Sequence, residues 1–207
     1  AGGIAFTALG AEGLGRVDVS TPTTPQFLDT LFAPESYADR LNTAWFLKCR
    51  GPTLYVSPGP APTSLRVYDV TAPRQPVEIS RQDNTGWGWG RKTYLSGTMA
   101  VIPSLKGVHL LDYAIPEKPV LRGEWTTRGA VLGAASHHEI ACVTLGNAGL
   151  AVLDISHPSE PKEIGLLQYP QVPTSLALGP HHLLIGDWAH GVSTYALKRP
   201  EQPARTW

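Results

Sequence analysis

Gly149-Leu150-Ala151-Val152-Leu153-Asp154-Ile155-Ser156-His157-Pro158-Ser159-Glu160-Pro161 reads as a short alternating strand, Leu150 to Ile155, stopped by two prolines three residues apart. A proline withholds a ladder donor, so the pair marks a turn after the strand. The same figure recurs along the chain. Val17-Asp18-Val19 leads to Pro22 and Pro25, and Val67-Tyr68-Asp69-Val70 leads to Pro73 and Pro76. Leu110-Leu111-Asp112-Tyr113 leads to Pro116 and Pro119, and Thr194-Tyr195-Ala196-Leu197 to Pro200 and Pro203. The first prolines of successive pairs stand 51, 43, 42 and 42 residues apart. A period in the forties built from short strands is the signature of a β-propeller or a similar array, in which each unit buries its apolar face only by stacking on its neighbours.

Four strands, A to D, fit each full unit. The cleanest units read Val131 to Ala135, Ile140 to Thr144, Leu150 to Ile155 and Lys162 to Leu167; then Thr174 to Leu178, Leu183 to Gly186, Val192 to Leu197 and a poor strand after Pro203. The unit before them reads Lys92 to Leu95, Met99 to Ile102, Val108 to Tyr113 and Val120 to Trp125. The earliest full unit, Ala44 to Lys48, Thr53 to Val56, Ser64 to Val70 and Val77 to Ser80, is longer, and residues 35–43 before it are expected to form one or two helical turns. The chain opens on Gly3 to Leu9, Arg16 to Val19 and Gln26 to Phe32, which lack an inner strand A. The expectation is one all-β domain over residues 1–207: a propeller of about five blades of roughly 42 residues, the first incomplete. The alternative is a portion of a larger propeller, completed by another chain or by a removed upstream segment, since an open end exposes unpaired backbone and apolar faces.

With 21 Gly, 19 Pro and 16% charged residues the 207-residue chain suits many turns between short strands. Its formal net charge is zero and no run of Lys or Arg occurs, which argues against a nucleic-acid footprint. No apolar stretch is long enough to span a membrane as a helix. The chain starts at Ala1 and its only methionine is Met99, so loss of a leader peptide, proteolysis or a chosen boundary precedes Ala1. Cys49 and Cys142 fall two units apart and are expected to be buried free thiols.

The tandem phrase hydrophobic-Asp-hydrophobic-Ser/Thr-x-Pro-x-x-Pro, seen at 150–161 and 65–76 and more weakly in the other copies, resembles the LVIVD-repeat family of β-propeller proteins. The last copy departs from it, with Ala196 at the Asp position and Lys198 at the Ser position, and the third has Ala114 at the Ser position. The resemblance implies a propeller, often in a secreted, periplasmic or cell-surface protein, and implies no particular activity. A fold does not supply one.

Three constellations carry candidate chemistry. His137-His138 and His181-His182 lie 44 residues apart, each between a strand A and a strand B, and paired imidazoles on adjacent blades suit a transition metal. The competing reading is of polar residues in hairpin turns, since Ser96-Gly97-Thr98 and Arg50-Gly51-Pro52 at corresponding places bring no further ligand. Trp87, Trp89 and Arg91, in a glycine-rich D-to-A connection, make a contact surface at one mouth of a propeller channel, with Tyr37, Tyr169, Trp188 and His190 around it. Packing between blades is the competing role for the two indoles. Hydrolytic chemistry has little support: Gly-x-Ser-x-Gly and the Walker phosphate loop are both missing, and Asp18, Asp69, Asp112 and Asp154 suit turn capping better than catalysis.

The sequence therefore points to a non-catalytic interaction or scaffold module that binds a protein or glycan through face loops and needs no cofactor. The alternative is a metal-binding protein or metal-dependent enzyme using the histidine pairs.

Overall fold

The structure, a computed structural model, describes residues 3–31, 44, 46–57, 64–83, 94–104, 106–127, 131, 133–169, 173, 175–187, 191–197 and 204–205. The chain is all-β and forms five antiparallel sheets. Contacts divide it into two compact units, residues 1–91 with 115–119, and residues 92–114 with 120–207.

The first unit holds two sheets. One is three-stranded, β1 (Ile4–Ala8), β2 (Leu14–Asp18) and β3 (Gln26–Thr30) in that order. The other is four-stranded, β4 (Phe46–Arg50), β5 (Thr53–Ser57), β6 (Ser64–Asp69) and β7 (Val77–Asp83). Leu14, Leu54, Val56, Tyr68 and Val70 form the apolar layer of this unit, with Phe6 and Ala8 packed against it. Among the described residues the first sheet has three strands, those the sequence phases as B, C and D. The expected helical turns at 35–43 lie outside the described residues.

The second unit holds three four-stranded sheets. The third sheet of the chain comprises β8 (Tyr94–Ser96), β9 (Met99–Ser104), β10 (Gly107–Asp112) and β11 (Val120–Thr126). The fourth comprises β12 (Ala134–His137), β13 (Ile140–Thr144), β14 (Leu150–Asp154) and β15 (Lys162–Leu167). The fifth comprises β16 (Ser175–Leu178), β17 (His182–Asp187), β18 (Gly191–Ala196) and β19 (Ala204–Arg205). β12 occupies 134–137 where the sequence suggests 131–135, because His137 pairs directly with Ile140 across a two-residue turn.

The fourth sheet is covered on both faces, which explains why Ile140–Thr144 and Leu150–Leu153 are apolar almost throughout. Alternate side chains of a strand point to opposite faces. Ala134, Ala141, Val143, Ala151 and Leu153 pack with Val101, Val108 and Leu110 of the third sheet. Ala135, Cys142, Leu150 and Val152 pack with Leu176, Leu183, Ile185 and Tyr195 of the fifth.

The recurrent motif is a turn device. Asp18, Asp69, Asp112 and Asp154 each accept the backbone N–H two residues on, from Ser20 (2.9 Å), Thr71 (2.7 Å), Ala114 (2.9 Å) and Ser156 (2.9 Å). The donor is main chain, so Ala114 serves as well as serine. The first proline then sits second in a β-turn closed by Thr24 N–H to Thr21 O, Gln75 to Ala72, Lys118 to Ile115 and Glu160 to His157, at 2.8–3.0 Å. Its fixed φ suits that place, and the second proline follows the turn where no donor is needed. These carboxylates are committed to shaping the C–D corner.

Candidate functional site

A cleft of about 510 Å3 opens in the second unit, lined by His137, His138, Glu139, Ile140, Asp154, Ser156, Ile164 and Pro180. The fourth sheet supplies all but Pro180, which comes from the β16–β17 turn. His138 and Glu139 form the tip of the β12–β13 hairpin. His138 has φ 51°, making it the one non-glycine residue with positive φ among the described residues. The sister hairpins place Gly51 (φ 56°) and Gly97 (φ 57°) there, as a left-handed residue in a tight hairpin prefers. A Cβ at either glycine would meet nothing within 4 Å. The position therefore has room for a side chain, and the cost of His138 is backbone strain of roughly 1–2 kcal/mol. Its backbone N–H donates to Ser96 Oγ at 2.9 Å, which ties the tip to the neighbouring hairpin.

The imidazoles of His137 and His138 meet edge to face, with centroids 4.4 Å apart. Asp154 is half-buried, and its hydrogen bonds from the Ser156 side chain and backbone hold its carboxyl below the usual range, helped by His157 and Lys162. It stays ionised near neutrality. Ser156 Oγ pairs with His157 Nδ1 at 3.1 Å. Ile140, Ile164 and Pro180 supply an apolar wall. The cleft offers two carboxylates and two imidazoles beside that wall. Among the described residues no group of three or more His, Cys, Asp or Glu could hold a metal ion.

The two histidine pairs do not occupy matching places. Gly179 N–H donates to His182 O and Leu197 N–H to His181 O, at 2.9 and 2.8 Å, so the second hairpin turns on Pro180 and His181. In the fourth sheet Ile155 N–H donates to Glu139 O at 2.7 Å. His181 thus matches Glu139, His182 matches Ile140 and Pro180 stands where His138 would be: the ladder repeats every 42 residues here, while the histidine pairs are spaced at 44. His181 and His182 are exposed and neither lines the cleft.

Of the expected contact residues, Trp87, Trp89, Arg91, Tyr37, Trp188 and His190 lie outside the described residues. Tyr169 is inside the second unit, only 5% exposed. Its hydroxyl donates to Asp187, and its ring meets Tyr195 edge to face at 6.3 Å. It packs with the layer between the fourth and fifth sheets.

A second surface was not foreseen from the sequence. The strand registers make Leu184 the counterpart of Cys142, Val192 of Leu150, and Ala177 of Ala135. In the fourth sheet these positions carry the next sheet, and Cys142 and Leu150 are 0% exposed. In the fifth, Leu184 is 41% and Val192 71% exposed. Leu176, Leu183, Ile185 and Tyr195, on the opposite face, are buried as in every packed sheet. One face of the fifth sheet therefore exposes Leu184 and Val192 at places that are core in the fourth, beside Thr194 and His182 where the fourth has Val152 and Ile140.

Comparison with known proteins supports the fold. Residues 139–168 match the family model of the LVIVD repeat, a repeat associated with β-propellers. No curated protein sequence is a significant match. Similar solved structures include a protein from Lactobacillus plantarum, 14% identical, with TM-score 0.80 over 99% of this chain and 67% of that one. Another is Sqt1 of Chaetomium thermophilum, solved bound to the N-terminus of the ribosomal protein L10, 14% identical, with TM-score 0.70 over 98% of this chain and 58% of that one. A third is the computationally designed Ika8 protein, 12% identical, with TM-score 0.67 over 94% and 56%. At these identities the likeness concerns the fold alone, which is propeller-like. The chain spans little more than half of the Ika8 and Sqt1 chains.

Proposed function

We propose that this propeller-like chain, with an LVIVD repeat in its fourth sheet, is a non-catalytic binding module for protein partners, about five blades of a larger propeller assembly. One observation carries the reading: the face of the fifth sheet bears apolar Ala177, Leu184 and Val192 where the fourth sheet receives its neighbour on Ala135, Cys142 and Leu150, although Thr194 and His182 stand where the fourth sheet has Val152 and Ile140. Covering Leu184 and Val192 would contribute roughly 1–2 kcal/mol each. The occupant that fits is another antiparallel sheet presenting alternate apolar residues, as the fifth sheet itself presents Leu176, Leu183, Ile185 and Tyr195 to the fourth. The Sqt1 neighbour, solved with a ribosomal-protein N-terminus, lends weight to a peptide or protein as the class of ligand. The motif carboxylates point the same way, since turn capping leaves them no catalytic task. A place outside the cytoplasm is part of the proposal and rests on the family resemblance alone.

Analytical ultracentrifugation of the purified chain tests the reading. An uncovered apolar face should drive concentration-dependent association, and Val192→Lys with Leu184→Lys should return the chain to a monomer. A wild-type chain that stays monomeric at all concentrations, indistinguishable from the double variant, would contradict it.

A further inference from the structure

The cleft beside His138 differs in kind from the bare face of the fifth sheet. It is small, mixed in chemistry, and bounded by the tips of two hairpins. We propose that it receives the side chain of a basic residue, lysine or arginine, from an extended segment of a protein partner. The proposal rests on the binding-module reading and names the chemistry of one of its contacts.

Three features of the cleft point to a cation on an aliphatic stem. First, its two formally charged lining groups are both carboxylates, Glu139 on the hairpin tip and Asp154 at the end of β14. Lys162 lies opposite Asp154 in the β14–β15 ladder, which leaves two carboxylates to one cation at this side of the cleft. Lys162 and His157 both act on Asp154. Second, Ile140, Ile164 and Pro180 line the same cleft, and Ile164 is 36% exposed. Such a wall suits the methylenes of a long basic side chain, which bury their stem while the charged head meets carboxylates. Third, the imidazole rings of His137 and His138 add flat surface at the rim. A volume of about 510 Å3 falls within the range of small-ligand pockets and accommodates one such side chain with part of its backbone. An anionic group would meet Glu139 and Asp154 unfavourably, and a neutral sugar would bring no charge to meet them.

The test is a titration of the isotope-labelled full chain, followed by amide NMR, with octalysine, octaglutamate and chitohexaose as probes. Octalysine should move the signals of His137 to Ile140, Ser156 and Ile164 and spare those of β3 at Phe27. The effect should weaken with added salt. Glu139→Gln, a change at an exposed hairpin tip, should reduce octalysine affinity about fivefold, and Ile164→Ser should weaken it as well. Equal shifts with octaglutamate, a preference for chitohexaose, no movement at the cleft, or unchanged affinity in Glu139→Gln would each overturn the proposal. Octalysine bound at another surface would also overturn it while leaving the binding-module reading intact. That reading falls by the ultracentrifuge result and not by this one.

Discussion

Leu150 and Val192 hold the same place in neighbouring sheets, yet the first is 0% and the second 71% exposed. Both are apolar and both lie on strand C. The difference lies in what comes next: the fourth sheet has a successor packed on it and the fifth, among the described residues, does not. A stacked-sheet repeat therefore writes two core faces into every unit, and the last unit keeps the second one whether or not anything covers it.

The largest effect should separate these two residues directly. Leu150→Asp puts a charge into a sealed layer and should remove more than about 4 kcal/mol, enough to leave little folded protein, whereas Val192→Asp should change the stability of the chain alone by less than about 0.5 kcal/mol. Urea unfolding of the two variants checks this. Equal destabilisation would mean that Val192 is covered in solution.

Close approach of packed sheets offers the next test. A Cβ at Gly123 on β11 would lie 2.1 Å from the carbonyl oxygen of Pro158, in the turn of the following sheet. Gly123→Ala should therefore cost roughly 1–3 kcal/mol by forcing the third and fourth sheets apart. At Gly97 a Cβ meets nothing, and Gly97→Ala should cost roughly 1 kcal/mol through its positive φ alone. Thermal unfolding should rank the two in that order; the reverse would question the packing of the third sheet on the fourth.

Thiol chemistry sharpens the comparison at its other matched pair. Cys142 is buried, and desolvation pushes its pKa up to about 12, while Cys49 is exposed; both are free. In the native chain one thiol should react promptly with a maleimide and the other only after unfolding. A cysteine introduced by Leu184→Cys, the counterpart of Cys142, should react promptly in the isolated chain. Protection of that introduced thiol in the isolated, monomeric chain would contradict the exposure of the face.

The smallest expected effect is on acid stability. Asp18 is lowered to about 2, chiefly by the Ser20 hydroxyl, and Asp69, Asp112 and Asp154 are lowered chiefly by Thr71, Arg122 and Ser156. Each contributes stability that is fully present above about pH 4, the unfolded aspartate value, and is lost as pH falls toward the lower folded value. Asp112→Asn should make unfolding less sensitive to pH below about 4. An unchanged slope would mean that the Asp112 corner does not couple to folding.

Much of the fold was legible because its signals are local. Strand alternation, the proline pair and the recurring aspartate each depend on a few adjacent residues, and together they located the sheets to within a few positions. The details that escaped depend on register and on neighbours. The histidine pairs stand 44 residues apart, but the hydrogen bonds from Leu197 and Ile155 make His181 the counterpart of Glu139. Tyr169 follows a strand end and looked like a loop residue, yet its hydroxyl finds Asp187 and its ring a place in the core. The cleft draws on four segments of the fourth sheet and on Pro180, a set that no linear motif marks. Leu184 and Val192 carry the same apolar pattern as covered residues, so sequence alone could not tell an occupied face from a bare one.

The most direct test of the account is the reactivity of the introduced thiol in Leu184→Cys within the native assembly, isolated intact and compared with Cys49 and Cys142. If the fifth sheet receives another sheet, that thiol should be protected in the assembly as Cys142 is, and should become reactive when the chain is separated from its partner. If it reacts as fast in the intact assembly as it does in the isolated chain, the face is bare in the working protein and the central claim is wrong.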